Sequence, residues 1–230
     1  MENIGNNLAL VMDRITAAAQ RYGRSPADIR LVAVTKTHPA EAVRAASDAG
    51  AAIIGENYIQ EARAKFEALI HLPVQWHFIG HMQSNKAKYA VRLFDLIHTV
   101  DSLGLGEELD RQARKAGKVQ EILIQVNISR EATKSGVSAA QAVALTRGLA
   151  QLPNIKVKGL MTMPPYFDDP DRARPFFAAL RDMRDDIRAL AISNVDMQEL
   201  SMGMTGDFEA AIEEGATLVR VGTAIFGGRP

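Results

Sequence analysis

The sequence predicts an α/β protein: a single closed, parallel (β/α)8 barrel over residues 1–230, with an extra N-terminal helix over residues 1–22 packed on it. Three observations point there. Apolar runs of strand length alternate eight times with helix-type segments, the pattern of a closed parallel barrel. Several runs are apolar throughout, such as Ile122-Leu123-Ile124, as expected of strands covered on both faces. No Gly-x-Gly-x-x-Gly follows the first run, which weighs against an open doubly wound sheet, the competing fold.

The N-terminal segment has a helical period, and Ile4, Leu8, Val11, Met12 and Ile15 form one stripe suited to packing. Strands are expected over residues 31–36, 52–56, 75–80, 96–100, 122–127, 157–161, 197–201 and 218–222. Between them, 39–49 has Pro39 at its start and Gly50 just past its end, the usual helix asymmetry. A helix should begin near 83–86, capped by Ser84 or Asn85. The segment 138–152 opens on Ser138 as a cap and stops before Pro153. Residues 171–191 are helical and charged on one face. The proline-dense stretch 163–170 follows the sixth strand and reads as a rim loop rather than a domain boundary.

Composition narrows the function. Lys plus Arg number 27, equal to Asp plus Glu at 27, so no basic field draws the chain to nucleic acid or a membrane surface. The absence of cysteine removes disulfides, thiolate catalysis and Cys-based metal sites. The first 21 residues lack the apolar core of a signal peptide, and no run reaches transmembrane length. A cytoplasmic protein is expected.

In a barrel of this kind, functional groups gather at the carboxyl ends of the strands. The polar residues there are Lys36, Glu56 with Asn57, His77 and His81, Asn127, Thr162, Ser201, and Arg220 with Thr223. Lys36 ends an apolar strand. A buried lysine sheds its proton more easily, and a neutral amine forms Schiff bases with aldehydes. Taken alone, it reads equally well as a solvated strand-end lysine. Ser201, Gly203, Thr205, Gly222 and Thr223 supply hydroxyls and close backbone approach after the last two strands, where such barrels hold phosphate. Small residues that merely turn the chain would look the same. An aldehyde bearing a phosphate suggests pyridoxal 5′-phosphate (PLP). Arg220 lies on the last strand and needs a specific partner, because burying a guanidinium is costly. His77 and His81 read as core or rim histidines rather than metal ligands. Glu56 and Asn57 each read as a helix cap or a cofactor-orienting group, capping being the plainer reading of Asn57 taken alone, and Lys134 reads as a loop lysine and second candidate for anion contact.

These motifs, Ala33-Val34-Thr35-Lys36-Thr37, Gly55-Glu56-Asn57-Tyr58, Trp76-His77-Phe78-Ile79-Gly80, Gly159-Leu160-Met161-Thr162-Met163, Leu200-Ser201-Met202-Gly203-Met204 and Val219-Arg220-Val221-Gly222-Thr223, run in order along nearly the whole chain. Together they resemble the YggS/PROSC family of pyridoxal-phosphate homeostasis (PLP-binding) proteins. The resemblance implies a TIM barrel like the N-terminal domain of alanine racemase, the type III fold of PLP proteins. It implies that PLP sits as a Schiff base on Lys36. It puts Ser201, Thr205, Gly222 and Thr223 at the phosphate, Arg220 at the pyridine nitrogen, and Asn57 and Met161 near the ring. Thr205-Gly206 stands where Ser and a non-glycine residue are common; the threonine keeps the hydroxyl.

The family role is intracellular PLP homeostasis: PLP is held and handed to apo-enzymes, with which transient contact is expected. A guanidinium does not release its proton, so it leaves the ring nitrogen unprotonated and the ring a poor electron sink. The sequence ends just after the last strand, so no second, β-rich domain supplying a base is expected. Both points favour a carrier over an enzyme, with any racemase-like activity weak. The alternatives are a PLP-dependent amino-acid racemase or decarboxylase, a class I aldolase-type Schiff-base barrel acting on a sugar phosphate, and a purely structural barrel. A monomer is expected, with a weak dimer as the alternative.

Overall fold

The computed structural model describes residues 3–131 and 134–228. Its strands are β1 (Arg30–Val34), β2 (Ile53–Glu56), β3 (Gln75–Phe78), β4 (Leu96–Val100), β5 (Gln120–Asn127), β6 (Val137–Ser138), β7 (Ile155–Met161), β8 (Val195–Ser201) and β9 (Leu218–Val221). All pairings are parallel, and the sheet closes because β4 pairs with β5 and β1 with β9. Two-residue β6 hangs on β5 outside the ring. The remaining eight strands form the barrel.

The helices are α1 (Ile4–Arg21), α2 (Ala40–Asp48), α3 (Ile59–Leu69), α4 (Ala87–Leu93), α5 (Leu103–Ala116), α6 (Ala139–Leu149), α7 (Arg174–Ala189), α8 (Phe208–Glu213) and α9 (Thr223–Phe226). Successive strand residues point to opposite faces, which yields two cores. Val32, Ile53, Leu96, Leu123, Met161 and Leu218 fill the barrel interior. Their neighbours in sequence, such as Leu31, Ile54, Ile97 and Ile122, join the larger core between strands and helices. Continuous apolar runs are the direct result.

Helix α1 packs through Ile4, Leu8, Val11 and Ile15, whereas Met12 is 41% exposed at the edge of the stripe. Each fully buried aliphatic side chain contributes roughly 1.5–3 kcal/mol. Polar ties add direction: Asn7 Nδ2 donates to the Ile225 carbonyl at 3.0 Å, and Arg14 pairs with Glu209 while lying over the Phe208 ring. The N-terminal helix thus grips α8 and α9, both next to the upper mouth of the barrel.

Three strands begin two residues earlier than their apolar runs suggest: β5 at Gln120, β7 at Ile155 and β8 at Val195. The added residues include polar ones at the lower mouth, where Lys158 pairs with Asp196 and Glu121, and Arg30 with Glu199. Strand β1 stops at Val34, two residues short of Lys36. Ser138 occupies the cap position of α6, but its hydroxyl donates to Gln141 Oε1 at 2.6 Å instead of capping the backbone. Neither Ser84 nor Asn85 caps a helix: they sit in a short 3-10 turn, and α4 starts at Ala87.

Candidate functional site

At the carboxyl ends of the strands lies a cavity of about 280 Å³, near the small end of the range that takes small ligands. Lys36, Asn57, Thr205, Arg220, Gly222 and Thr223 line it together. Met161 and Ser201 do not; both are wholly buried beneath it. The loop 163–170 forms one wall through Met163, Tyr166, Phe167 and Pro170, with Tyr166 86% exposed at the rim.

Lys36 is half-buried in a turn rather than on a strand, and both neighbours are clamped. The Thr35 carbonyl accepts from Lys65 Nζ at 2.7 Å and from the His38 amide at 3.1 Å, both outside the sheet ladder. The Thr37 amide donates to Glu61 Oε2 at 2.9 Å, and Thr37 adopts a left-handed φ of 65°. Beneath the turn, Lys65 Nζ meets Glu56 Oε1 at 2.6 Å, and the Thr35 hydroxyl donates to the same oxygen at 2.6 Å. Glu56 is fully buried. Burial pushes its carboxyl above the usual range, and the Lys65 ammonium pulls it back. Glu56 therefore neither caps a helix nor faces the cavity; it anchors the turn that carries Lys36.

Asn57 is not a cap either, since α3 follows Tyr58 with no side-chain cap. It lines the cavity, and its Oδ1 is buried without a hydrogen-bond partner among the described residues. Such a group costs free energy unless a ligand satisfies it. The backbone there is held close: a Cβ at Gly80 would fall 2.1 Å from the Asn57 carbonyl oxygen. Across the cavity, Gly203 has φ +90°, and a Cβ there would meet Ala211 Cβ at 2.6 Å. The next turn is closed by Asp207, whose Oδ1 accepts from the Met204 amide at 2.6 Å.

Arg220 forms the floor. It is 4% exposed. Its Nη1 donates to Ser201 Oγ at 2.6 Å and its Nη2 to the Thr162 carbonyl at 3.0 Å. Both partners are uncharged. Burial lowers its pKa to about 10, with Asp207 opposing, so the guanidinium stays charged at neutral pH. Ser201 Oγ also lies 2.8 Å from His98 Nδ1, and His98 Nε2 lies 2.9 Å from His77 Nδ1. His77 and His81 do not share a site, since His81 is exposed and bonded to Ser135. Asn127 holds its own loop through the Glu131 and Lys134 carbonyls, and Lys134 pairs with Glu131 at 3.1 Å, away from the cavity lining.

His98 and Lys65 escaped the sequence reading. His98 had one signal: a lone imidazole between Ile97 and Thr99 in an otherwise strand-like run. Lys65 had none, because a lysine on an amphipathic helix ordinarily faces water.

Burial, reinforced by Arg30, lowers the His77 pKa to about 3. His98 is held well below its usual value by burial, His77, Arg220 and Arg30. Both are ordinarily near 6.5 when unfolded. The unfolded chain therefore binds more protons below that pH, and stability present above it is lost as pH falls towards 3, by up to about 1.4 kcal/mol per pH unit per histidine. Glu56 and Asp207, raised by burial, act in the opposite sense. Urea unfolding from pH 7.5 to 4.5 should show a shallower loss in His98→Gln than in the wild type; equal slopes would refute the assignment.

The model of the family "Alanine racemase, N-terminal domain" matches residues 7–230. The chain is 44% identical over 227 residues to the pyridoxal phosphate homeostasis protein of Aquifex aeolicus, covering 99% of each. It superposes on the PLP-bound structure of PipY from Synechococcus elongatus with a TM-score of 0.84 at 37% identity, covering 97% of this chain and all of that one. Alanine racemase of Clostridium difficile shares the fold, with a TM-score of 0.72 at 14% identity over 98% of this chain and 60% of that one. Barrel and family together answer the first expectation: the chain belongs to the alanine racemase N-terminal domain family and, within it, to the pyridoxal phosphate homeostasis proteins.

Proposed function

We propose that this protein binds PLP in the upper cavity as a Schiff base on Lys36 and supplies it to apo-enzymes, keeping the free cofactor low. One observation carries this reading: an amine, a buried guanidinium and a hydroxyl-rich strand-end segment converge on one small cavity. When bound, PLP supplies an aldehyde for an amine and a ring able to take up electron density. Lys36 would hold the aldehyde carbon, Thr205, Gly222 and Thr223 the phosphate, and Asn57 a ring substituent. Arg220 would face the ring nitrogen and, being charged, would keep a proton off it, which weakens carbanion chemistry and favours carriage over turnover. Relatives at 37–44% identity are named for homeostasis rather than for a reaction, and PipY was solved with PLP bound. Among the described residues no helix is long and apolar enough to cross a membrane. Ser201 and Met161, buried under the cavity, would act on PLP through the residues above them.

The test is an absorbance spectrum of protein loaded with PLP, before and after borohydride, followed by peptide mapping. A visible band that collapses on reduction, with the adduct on Lys36, supports the reading. An adduct on another lysine, or no uptake of PLP, overturns it.

A further inference from the structure

The barrel interior holds a second feature that PLP binding alone does not call for. Arg220, Ser201, His98 and His77 form an unbroken line of hydrogen bonds of 2.6, 2.8 and 2.9 Å. Arg220 lines the upper cavity. At the opposite end, His77 lines a separate cavity of about 150 Å³ at the lower mouth, beside Arg30, Asp95, Glu121, Lys158 and Glu199. The line therefore joins the two ends of the barrel through an interior otherwise filled with Val32, Leu96, Leu123 and Leu218.

Its polarity follows from counting protons. A guanidinium only donates, so it uses one lone pair of Ser201 Oγ. Ser201 is fully buried, so its single O–H needs an acceptor, and His98 Nδ1 lies in reach. That makes Nδ1 of His98 the acceptor and Nε2 the protonated nitrogen, which donates to His77 Nδ1. His77 then carries its own proton on Nε2, the atom left for the lower mouth. The reverse order would strand the Ser201 hydroxyl proton in the core. A doubly protonated His98 would strand it too and would add a cation to a line already ending in Arg220.

We propose that His98, acting through Ser201, is a positioning residue for the Arg220 guanidinium, within a one-way hydrogen-bond chain that runs from the cavity floor to the opposite mouth of the barrel. Its role towards PLP rests on the reading given under Proposed function; the chain itself does not. The imidazole is suited to the task because it presents one acceptor and one donor about 2 Å apart on a rigid ring. With the chain intact, Ser201 Oγ is fixed and Arg220 cannot swing away from the cavity. Without it, the hydroxyl turns back on Arg220 or stays unpaired, and the guanidinium keeps only the Thr162 carbonyl as a firm anchor.

Two measurements test this. Long-range proton–nitrogen NMR of the histidine rings in ligand-free protein should find both His98 and His77 neutral and protonated on Nε2 at pH 7. A proton on Nδ1 of His98, or a charged ring, overturns the chain. PLP titration then compares variants. His98→Leu should weaken PLP binding about tenfold or more and shift the visible maximum, the expected scale for losing one charge-assisted hydrogen bond. His98→Gln, whose amide offers the same acceptor and donor pair, should recover affinity to within about twofold and restore the maximum. A merely structural His98 would lower the unfolding midpoint in both variants while leaving the spectrum and affinity of each as in the wild type, and that result overturns the proposal. Should His98→Leu not fold, Ser201→Ala breaks the same line with a smaller change and is held to the same criteria. Failure of the wild type itself to take up PLP counts against the cavity reading, while the NMR result still decides the chain.

Discussion

Lys36→Ala leaves no adduct for borohydride to trap, and PLP affinity falls by about a hundredfold or more, roughly 2.8 kcal/mol at about 1.4 kcal/mol per tenfold. The fall is large because a covalent link is lost, yet finite because Thr205, Arg220, Gly222 and Thr223 remain on the cavity wall. Lys36→Arg separates charge from nucleophilicity: it keeps a cation at the same turn but offers no amine able to form an imine. Both variants should therefore lack the trapped band, while Lys36→Arg keeps more residual affinity for the phosphate-bearing ligand. Equilibrium dialysis and absorbance measure the two quantities. A trapped adduct that persists in Lys36→Ala would move the anchor elsewhere.

Lys65→Met has the second large effect, on stability. It removes the ammonium that pairs with Glu56, a fully buried carboxylate. Breaking one side of a buried ion pair costs about 3–5 kcal/mol, because the remaining charge is left in a low-dielectric interior. Urea unfolding at pH 7 should show that loss, and the double variant Lys65→Met with Glu56→Gln should recover a large part of it. The Thr35 carbonyl also loses one of its two donors, keeping only the His38 amide, so PLP binding should weaken along with stability, through the turn that presents Lys36. A cost below about 1 kcal/mol would mean that Glu56 is already protonated in the folded protein.

The barrel was legible because its signal is periodic and repeated. Eight apolar runs, several of them two-sided, leave few folds that bury them all. The strand starts at Gln120 and Val195 were not legible, because the lower mouth is built from ion pairs such as Lys158–Asp196 and Arg30–Glu199, and charged residues do not read as strand. At the cavity, Lys36, Thr205, Arg220, Gly222 and Thr223 could be singled out by their place at strand ends. The roles of Glu56, Lys65 and His98 could not: each depends on which residue from a distant segment lies opposite it. Ser201 shows the limit most clearly. Its place at the end of the strand suggests a phosphate contact, but strand alternation turns its side chain into the barrel, where it meets Arg220 and His98.

The cavity has two kinds of wall. Its floor is made of strand ends tied by short hydrogen bonds, and one side is the loop 163–170, with Tyr166 standing almost entirely in water. Substitutions in the floor should therefore change a ligand's affinity most, and substitutions in the loop its rate of escape, as equilibrium dialysis and stopped-flow release would read. Residence time and affinity would then be encoded in separate stretches of sequence, and evolution could quicken the unloading of a cargo without loosening the grip on it.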